Sequence, residues 1–273
     1  MDSGVAFVPS LDLVHRVVDV DLAYTIARMR VLERIPGNPV GIATRSIENV
    51  TALMARHLPS PAFNRIVGLR RGQAQHIQPL VEWYREHGVA ARVEIASGDD
   101  ELPLARELAR LGFFQSGFHA ALIGEPAGDA AAPGDIAVEL VTTPDAMEAF
   151  LAAYVAGWGV PQIAHEQFKR NVRPWLGQPG WSLYLGRIEG KPAATAILYV
   201  QGGVGYLADS ATDPAYRGRG LHAALLRRRL RAAHEAGVDF VCSGAEFLSG
   251  SHRNMERVGM RLLFLRAIWT QLE

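Results

Sequence analysis

A short turn rich in arginine and glycine is the part of this sequence best suited to chemistry. Residues 217–220 read Arg-Gly-Arg-Gly, and they stand between a predicted strand at 204–211 and an amphipathic helix that begins near Leu221. The first N–H groups of a helix lack intrahelical partners and lie at the positive end of its dipole. Glycines admit a ligand close to the backbone, and arginines add charge that suits phosphate. The turn therefore predicts a pyrophosphate site, with a plain connector as the alternative.

The elements around this turn follow a recognisable order. The turn and helix are followed by Gly237, a strand at 238–242, a short helix, Gly259 and a last strand. This order, with Arg217-Gly218-Arg219-Gly220-Leu221, resembles the GNAT superfamily of acyl-CoA N-acyltransferases, whose signature is Arg/Gln-x-x-Gly-x-Gly/Ala. The resemblance covers residues 136–271. His222 departs from the signature, since the family usually has Gly or Ala there.

The resemblance implies an α/β (α+β) fold with a mixed, mostly antiparallel central sheet flanked by helices. The sequence also suggests that this fold is duplicated in tandem, because glycines at 88 and 112 recur with similar surroundings at 237 and 259. Convergence of ordinary α/β patterning is the alternative. We expect a degenerate GNAT-like domain at 1–123, a linker at 124–135 and an acyl-CoA-binding GNAT domain at 136–273.

The local patterns before and after the linker alternate between helix and strand. In the first half we expect helices at 12–31, 46–57, 77–87 and 102–111, with strands at 63–68, 89–95 and 113–122. In the second half we expect a strand at 136–141, helices at 144–155 and 163–173, and a hairpin of strands at 181–187 and 193–200. The counterpart of the phosphate turn in the first half is 69–74, which has one glycine rather than two. We therefore expect the cofactor in the second half.

Composition excludes several classes of function. Lys and Arg together number 28, as do Asp and Glu, so the net charge is zero and nothing favours nucleic acid or an anionic membrane. Cys242 is the only cysteine, which excludes an intramolecular disulfide and a cysteine-based metal cluster. No apolar run is long enough to span a bilayer, and the start lacks the pattern of a signal peptide. We therefore expect a cytoplasmic protein with no metal.

The resemblance assigns the co-substrate, acetyl-CoA or another acyl-CoA, to the turn and its flanks. Backbone N–H groups of residues 218–223 would hold the pyrophosphate, and the end of the preceding strand would pair with the pantetheine arm. The arginines at 227, 228, 229 and 231 are expected to form a solvated helix face. The candidate cofactor-binding residues are Ala211, Thr212, Arg217, Gly218, Arg219, Gly220, Leu221, His222, Ala223 and Asn254.

The catalytic groups are less well defined. In this superfamily the amine attacks the thioester directly, so the site needs a base for the amine and an acid for the thiolate. Candidate bases by position are Asp209 on the strand and Glu246 after the next strand, and each is also compatible with an ordinary surface or turn position. The family's usual tyrosine acid would fall at Met255, so it is missing here.

These observations predict an acyl-CoA-dependent N-acyltransferase, most simply an N-acetyltransferase acting on an amine. The alternative is a catalytically silent module that binds acyl-CoA or a partner protein, which the methionine at 255 favours. The acceptor is expected to be a small-molecule or peptide amine, with no nucleic-acid or membrane partner. The oligomeric state is left open between monomer and homodimer.

Overall fold

A computed structural model describes residues 8–58, 63–99, 101–127 and 134–271. Its helices are α1 (Leu11–Glu33), α2 (Ile77–Glu86), α3 (Glu101–Arg110), α4 (Pro144–Gly157), α5 (His165–Val172), α6 (Leu221–Glu235) and α7 (Gly250–Arg257). Its strands are β1 (Ile42–Ile47), β2 (Val50–Ala55), β3 (Arg65–Val67), β4 (Arg92–Ala96), β5 (Phe113–Gly124), β6 (Ile136–Leu140), β7 (Trp181–Ile188), β8 (Lys191–Gln201), β9 (Val204–Thr212), β10 (Phe240–Glu246) and β11 (Arg261–Gln271). The fold is therefore mixed α/β, as predicted.

The chain divides into two compact units. The first comprises residues 1–25, 40–121 and 263–273, and the second comprises residues 26–39 and 122–262. Residues 128–133 of the predicted linker lie outside the described residues, so the predicted boundaries at 123 and 136 stay predictions. None of the helices in the described ranges combines the length and the apolar character that a membrane span requires.

The first unit contains a sheet in the order β1-β2-β3-β4-β11-β5. β1, β2 and β3 pair antiparallel in turn, β3 pairs parallel with β4, and β4 pairs antiparallel with β11. Helices α2 and α3 bury an apolar stripe on this sheet, which includes Leu80, Tyr84, Leu104 and Leu108. Closing the sheet with β11 brings the last strand of the chain into the first unit.

The helix predicted at 46–57 is wrong, because this stretch forms the turn and second strand of the β1–β2 hairpin. The chain reverses at Glu48, which has a φ of 54°, and Ser46 Oγ lies 3.0 Å from Thr51 Oγ1 across the two strands. All six residues of β2 are buried. A strand buried on both faces has no polar alternation, so its sequence does not distinguish it from a buried helix.

The second unit contains a sheet in the order β10-β9-β8-β7-β6. β6 to β9 pair antiparallel in turn, whereas β9 and β10 are parallel. Helix α4 begins at Pro144, where the Thr143 hydroxyl accepts a hydrogen bond from Ala146 N at 3.2 Å and caps the helix. Helices α4 and α6 both pack on β8 and β9. They bury the strands that lead into the arginine-glycine turn.

Candidate functional site

The arginine-glycine turn joins β9 to α6, as the sequence predicts. Gly218 and Gly220 have φ values of 77° and 91°, in the left-handed region that side chains with a Cβ disfavour. Gly220 occupies the N-cap position of α6, and no side chain caps the helix there. The first intrahelical bond runs from Ala224 N to Gly220 O at 3.0 Å, so the N–H groups of residues 221–223 precede it. An uncapped helix start beside an exposed glycine turn suits an anion.

The two arginines of the turn have different partners. Arg217 Nε donates to Thr212 O at 3.2 Å and its Nη2 to Gly157 O at 3.4 Å, so this side chain ties the turn to the ends of β9 and α4. Arg219 Nη2 instead lies 2.8 Å from Glu189 Oε1 and 3.4 Å from Asp135 Oδ2. Because the Arg219 pairs are exposed, a phosphate could replace these carboxylates at little cost.

Strands β9 and β10 stop pairing before they end. Their parallel pairing covers Val204–Tyr206 and Phe240–Cys242, although β9 continues to Thr212 and β10 to Glu246. Ser243 Oγ donates to Leu207 O at 2.7 Å where the pairing stops. Beyond that bond the β9–β10 register does not continue, and a divergence of this kind is where another extended chain could pair with a strand.

A bulge distorts β9 beyond the end of its pairing with β10. Thr195 of β8 pairs with Ala211, but Ile197 pairs with Ala208, so Asp209 and Ser210 both oppose a single residue of β8. Asp209 has a φ of 43°.

The end of α4 packs tightly on β9 just past the bulge. A Cβ added to Gly157 would lie 2.9 Å from Ala211 Cβ and 3.1 Å from Thr212 N. Only glycine permits this approach, and α4 therefore covers one face of the β9 end.

The candidate base Asp209 is held in an ion pair. Its carboxylate lies 3.2 Å from Arg28 Nη1, and each side chain is only 13% exposed. Arg28 comes from α1 and also stacks on Trp175, with its guanidinium carbon 5.1 Å from the ring centroid. Burial raises the pKa of Tyr154, and the negative charge of Asp209 raises it further, so the phenol stays protonated. Asp209 thus belongs to a partly buried cluster rather than to an open surface.

The other candidate base, Glu246, is placed differently. It is the last residue of β10 and is exposed, and its backbone carbonyl accepts a hydrogen bond from Ser249 N at 3.1 Å. The structure therefore puts the two carboxylates on neighbouring strands, both beyond the point where β9 and β10 stop pairing. Only Glu246 presents its side chain to solvent, where a protonated amine could approach it.

His222 and Asn254 are brought together by the fold. Asn254 Oδ1 accepts a hydrogen bond from Arg257 Nη1 at 2.7 Å, and its amide nitrogen lies 3.1 Å from His222 Nδ1. An amide nitrogen only donates, so Nδ1 must accept and the ring hydrogen sits on Nε2. Burial, with the nearby charge of Arg229, lowers the pKa of His222 to about 4. The imidazole is therefore neutral at the start of α6.

The remaining predicted residues take structural places. Leu221 is buried beneath the turn and Ala223 is half-buried on the first turn of α6. Met255 is only 3% exposed and packs inside the unit. A buried thioether cannot donate a proton, so the position of the family's tyrosine supplies no acid here.

One expectation about the arginines of α6 is wrong. Arg229 was grouped with a solvated helix face, but its side chain is fully buried and donates four hydrogen bonds within the unit. Its spacing carried the signal, since it follows Leu221 and Leu225 at intervals of four residues and so shares their apolar face. Arg28 was missed because nothing in the sequence of α1 indicates a partner far along the chain.

The corresponding turn of the first unit satisfies its own backbone. Gln73 Oε1 accepts a hydrogen bond from Arg70 N at 2.9 Å, and Asp99 Oδ1 accepts one from Arg71 N at 3.3 Å. A side-chain carboxylate therefore stands where an anionic ligand would have to bind. This arrangement favours the second unit as the place for a phosphate ligand.

Comparison with known proteins agrees with this geometry. Residues 127–248 match the family described as an acetyltransferase (GNAT) domain. A search of curated proteins gives no significant match.

Several solved structures share the fold at low sequence identity. A GCN5-related N-acetyltransferase from Kribbella flavida is 16% identical over 93% of this chain and 96% of its own, with a TM-score of 0.67. A tandem GNAT protein from the clavulanic acid biosynthesis pathway is 16% identical over 94% of both chains, with a TM-score of 0.61. A GCN5-related N-acetyltransferase from Sphaerobacter thermophilus is 18% identical over 76% of this chain and 71% of its own, with a TM-score of 0.60. Residues 127–248 therefore match the acetyltransferase (GNAT) domain family, and the chain shares the fold of these solved structures.

Proposed function

We propose that the protein is an acyl-CoA-dependent N-acyltransferase that moves an acetyl group from acetyl-CoA to an amine. The observation that carries the proposal is the combination of two features at the end of β9. The uncapped start of α6 follows a glycine turn with positive φ values, and the adjacent edge of β9 is unpaired with β10. The first feature suits the pyrophosphate, and the second suits the pantetheine arm in an extended conformation.

The reaction joins the amine nitrogen to the thioester carbonyl carbon and breaks the bond from that carbon to sulfur. The amine loses a proton, sulfur leaves as the CoA thiolate, and the thiolate takes up a proton to give free CoA and an amide. The protein must therefore align the amine with the carbonyl and accept a proton. We assign the base to Glu246, because the Asp209 carboxylate is already engaged by Arg28. Water serves as the acid, since Met255 cannot.

Calorimetric titration with acetyl-CoA tests the site. Gly218→Asp places a carboxylate in the turn, and Gly237→Asp is its matched control at the other end of α6. The two glycines have φ values of 77° and 65°, and an added Cβ would meet nothing within 4 Å at either one. The backbone strain and the added charge are thus comparable, but only position 218 would face phosphate. We expect the wild type and Gly237→Asp to bind and Gly218→Asp to lose at least about tenfold in affinity. Equal affinities in all three proteins would refute the site.

A second candidate function is a silent module that binds acyl-CoA or a partner protein without turnover. The buried Met255, at the position where the family has its acid, favours it. Release of free CoA in the presence of a panel of small-molecule and peptide amines separates the two functions. An enzyme releases CoA only with an accepted amine, and a silent module binds acetyl-CoA and releases none.

We propose that residues 1–123 form a degenerate GNAT-like domain, residues 124–135 a linker, and residues 136–273 the domain that binds acyl-CoA. The Asp99 carboxylate, which accepts a hydrogen bond from Arg71 N in the turn at 69–74, supports the placement of the cofactor in the second half. We also propose a cytoplasmic protein that acts without nucleic acid, membrane or metal. Sedimentation at micromolar concentration decides between a monomer and a homodimer.

A further inference from the structure

A fully buried arginine lies beneath the bulge of β9. Arg229 projects from α6 and is 0% exposed. Its Nη1 donates to Ile197 O at 3.0 Å and to Ala208 O at 3.2 Å, and its Nη2 donates to Ser210 Oγ at 2.8 Å. Its Nε donates to Leu225 O at 3.1 Å within the helix. One guanidinium thus contacts Ala208 just before the bulge, Ser210 within it, and Ile197, the β8 partner of Ala208.

These contacts supply hydrogen-bond donors to backbone carbonyls that border the bulge. A bulge leaves backbone groups without their usual cross-strand partners, and a buried carbonyl without a donor costs free energy. Arg229 supplies donors to the carbonyls of Ile197 and Ala208, which are the last directly paired residues before the bulge. The planar fork of a guanidinium can serve several acceptors at fixed relative positions, whereas an ammonium is a point donor on a flexible stem.

Holding the Ala208 carbonyl also orients the next amide. In a trans peptide the C=O of one residue and the N–H of the next point in opposite directions, and the described residues contain no cis peptide bond. Because Ala208 O faces Arg229 on α6, the N–H of Asp209 points away from that helix. The orientation of this amide therefore depends on the guanidinium.

We propose that Arg229 is a positioning residue for acyl transfer, which sets the conformation of the bulge at Asp209 and Ser210, in the β9 segment where the proposed function places the extended arm of acyl-CoA. This inference rests on the proposed function, because that function places the pantetheine arm along this segment of β9. Arg229 lies within the core and does not itself touch the substrate. Its role is to keep the backbone of β9 in the one conformation that the reaction uses.

Kinetics of two Arg229 variants test the proposal. Arg229→Met removes the donors, and Arg229→Lys keeps the charge with fewer fixed donors. We expect kcat to fall about 100-fold in Arg229→Met and about tenfold in Arg229→Lys, because small misplacements of reacting groups are costly. KM for acetyl-CoA should change less than about threefold, since the phosphate turn is untouched. Arg231→Met is the matched control, because Arg231 lies on the same helix, is 55% exposed and pairs with Glu235.

Hydrogen exchange supplies a readout that needs no activity. Amides of β9 at residues 208–211 should exchange at least about tenfold faster in Arg229→Lys than in the wild type or in Arg231→Met. If the wild type shows no turnover, the proposed function fails, and the exchange rates still decide whether Arg229 holds the bulge. Unchanged exchange together with unchanged kcat in Arg229→Lys would overturn the inference.

A milder variant covers the case in which Arg229→Met does not fold. Ser210→Ala removes one acceptor of the guanidinium without burying a new charge. We expect its kcat to fall by about threefold to tenfold at unchanged KM, with faster exchange confined to the bulge. Wild-type kcat and exchange in this variant would count against the positioning role.

Discussion

Arg28 of α1 and Asp209 of the β9 bulge form an ion pair of 3.2 Å, although 181 residues separate them in the sequence. The pair lies inside the second unit, where Trp175 covers the guanidinium. If one partner of such a shielded pair is removed, the remaining charge is poorly hydrated and no longer has its counter-ion, which is energetically unfavourable. The Asp209 carboxylate therefore has a structural role in this ion pair.

A double-mutant cycle measures this pair. Arg28→Met and Asp209→Asn should each lower the free energy of unfolding, and the double variant should lose less than the sum of the two. We expect a coupling energy of about 1–3 kcal/mol from denaturant unfolding. The pair of Arg187 and Glu139, at 2.9 Å and with side chains 25% and 43% exposed, is the less buried control and should couple by less than about 1 kcal/mol. Additive losses for Arg28 and Asp209 would contradict the assignment.

Stability should depend on pH through His222. Burial lowers the pKa of His222 to about 4 from an ordinary value of 6.5, so between these values the unfolded chain binds a proton that the folded chain does not. This contribution to stability is fully present above pH 6.5 and is lost as the pH falls toward 4. The loss between pH 7 and pH 4 amounts to roughly 2–3 kcal/mol. The unfolding free energies of the wild type and His222→Gln, measured across this window, should converge as the pH falls.

The comparison with His222→Gln removes the contribution of all other titrating groups. Glutamine keeps a polar side chain beside Asn254 but cannot bind a proton in this range. Two curves that run parallel from pH 7 to pH 4 would show that the folded state tolerates a charged imidazole at this position.

A buried charge cluster in the first unit gives the third prediction. Burial raises the pKa of Glu94, but the positive charges of Arg65, Arg266 and Arg92 outweigh it and hold that pKa at about 2. Glu94 Oε2 lies 2.7 Å from Arg65 Nη1 and 3.0 Å from Arg266 Nη1. Glu94→Gln leaves buried guanidinium groups with less compensation, so it should cost about 3 kcal/mol at pH 7.

The pH dependence of that loss has a definite sign. A lowered carboxyl pKa stabilises the fold above the ordinary value of 4.5, and this stabilisation disappears as the pH falls through about 2. The difference in unfolding free energy between the wild type and Glu94→Gln should therefore shrink from pH 5 toward pH 2. Glu107→Gln, at an exposed pair with Arg110, should cost less than about 1 kcal/mol at any pH. A constant difference for Glu94→Gln would contradict the charge cluster.

Most of the local structure around the site was predictable because its signals are local. Each of these signals can be read from a few neighbouring residues. They are the glycines with positive φ, the apolar residues spaced four apart in α6, and the Thr143-Pro144 start of α4. The first unit shows the limit of such signals. β2 is buried throughout, so its residues carry no alternation, and a helix was predicted where a hairpin forms.

The sequence by itself determined the α/β class, the arginine-glycine turn between β9 and α6, and the methionine at 255 in place of the family's tyrosine. The tertiary structure decided the roles of the charged residues, because these depend on partners that are distant along the chain. Asp209 meets Arg28, Asn254 meets His222, and Arg229 is buried beneath a bulge that no local pattern announces. The sequence near a turn does not show whether a charged side chain faces the solvent or the core. Only packing fixes its dielectric surroundings and its hydrogen-bond partners, and those determine what it can do.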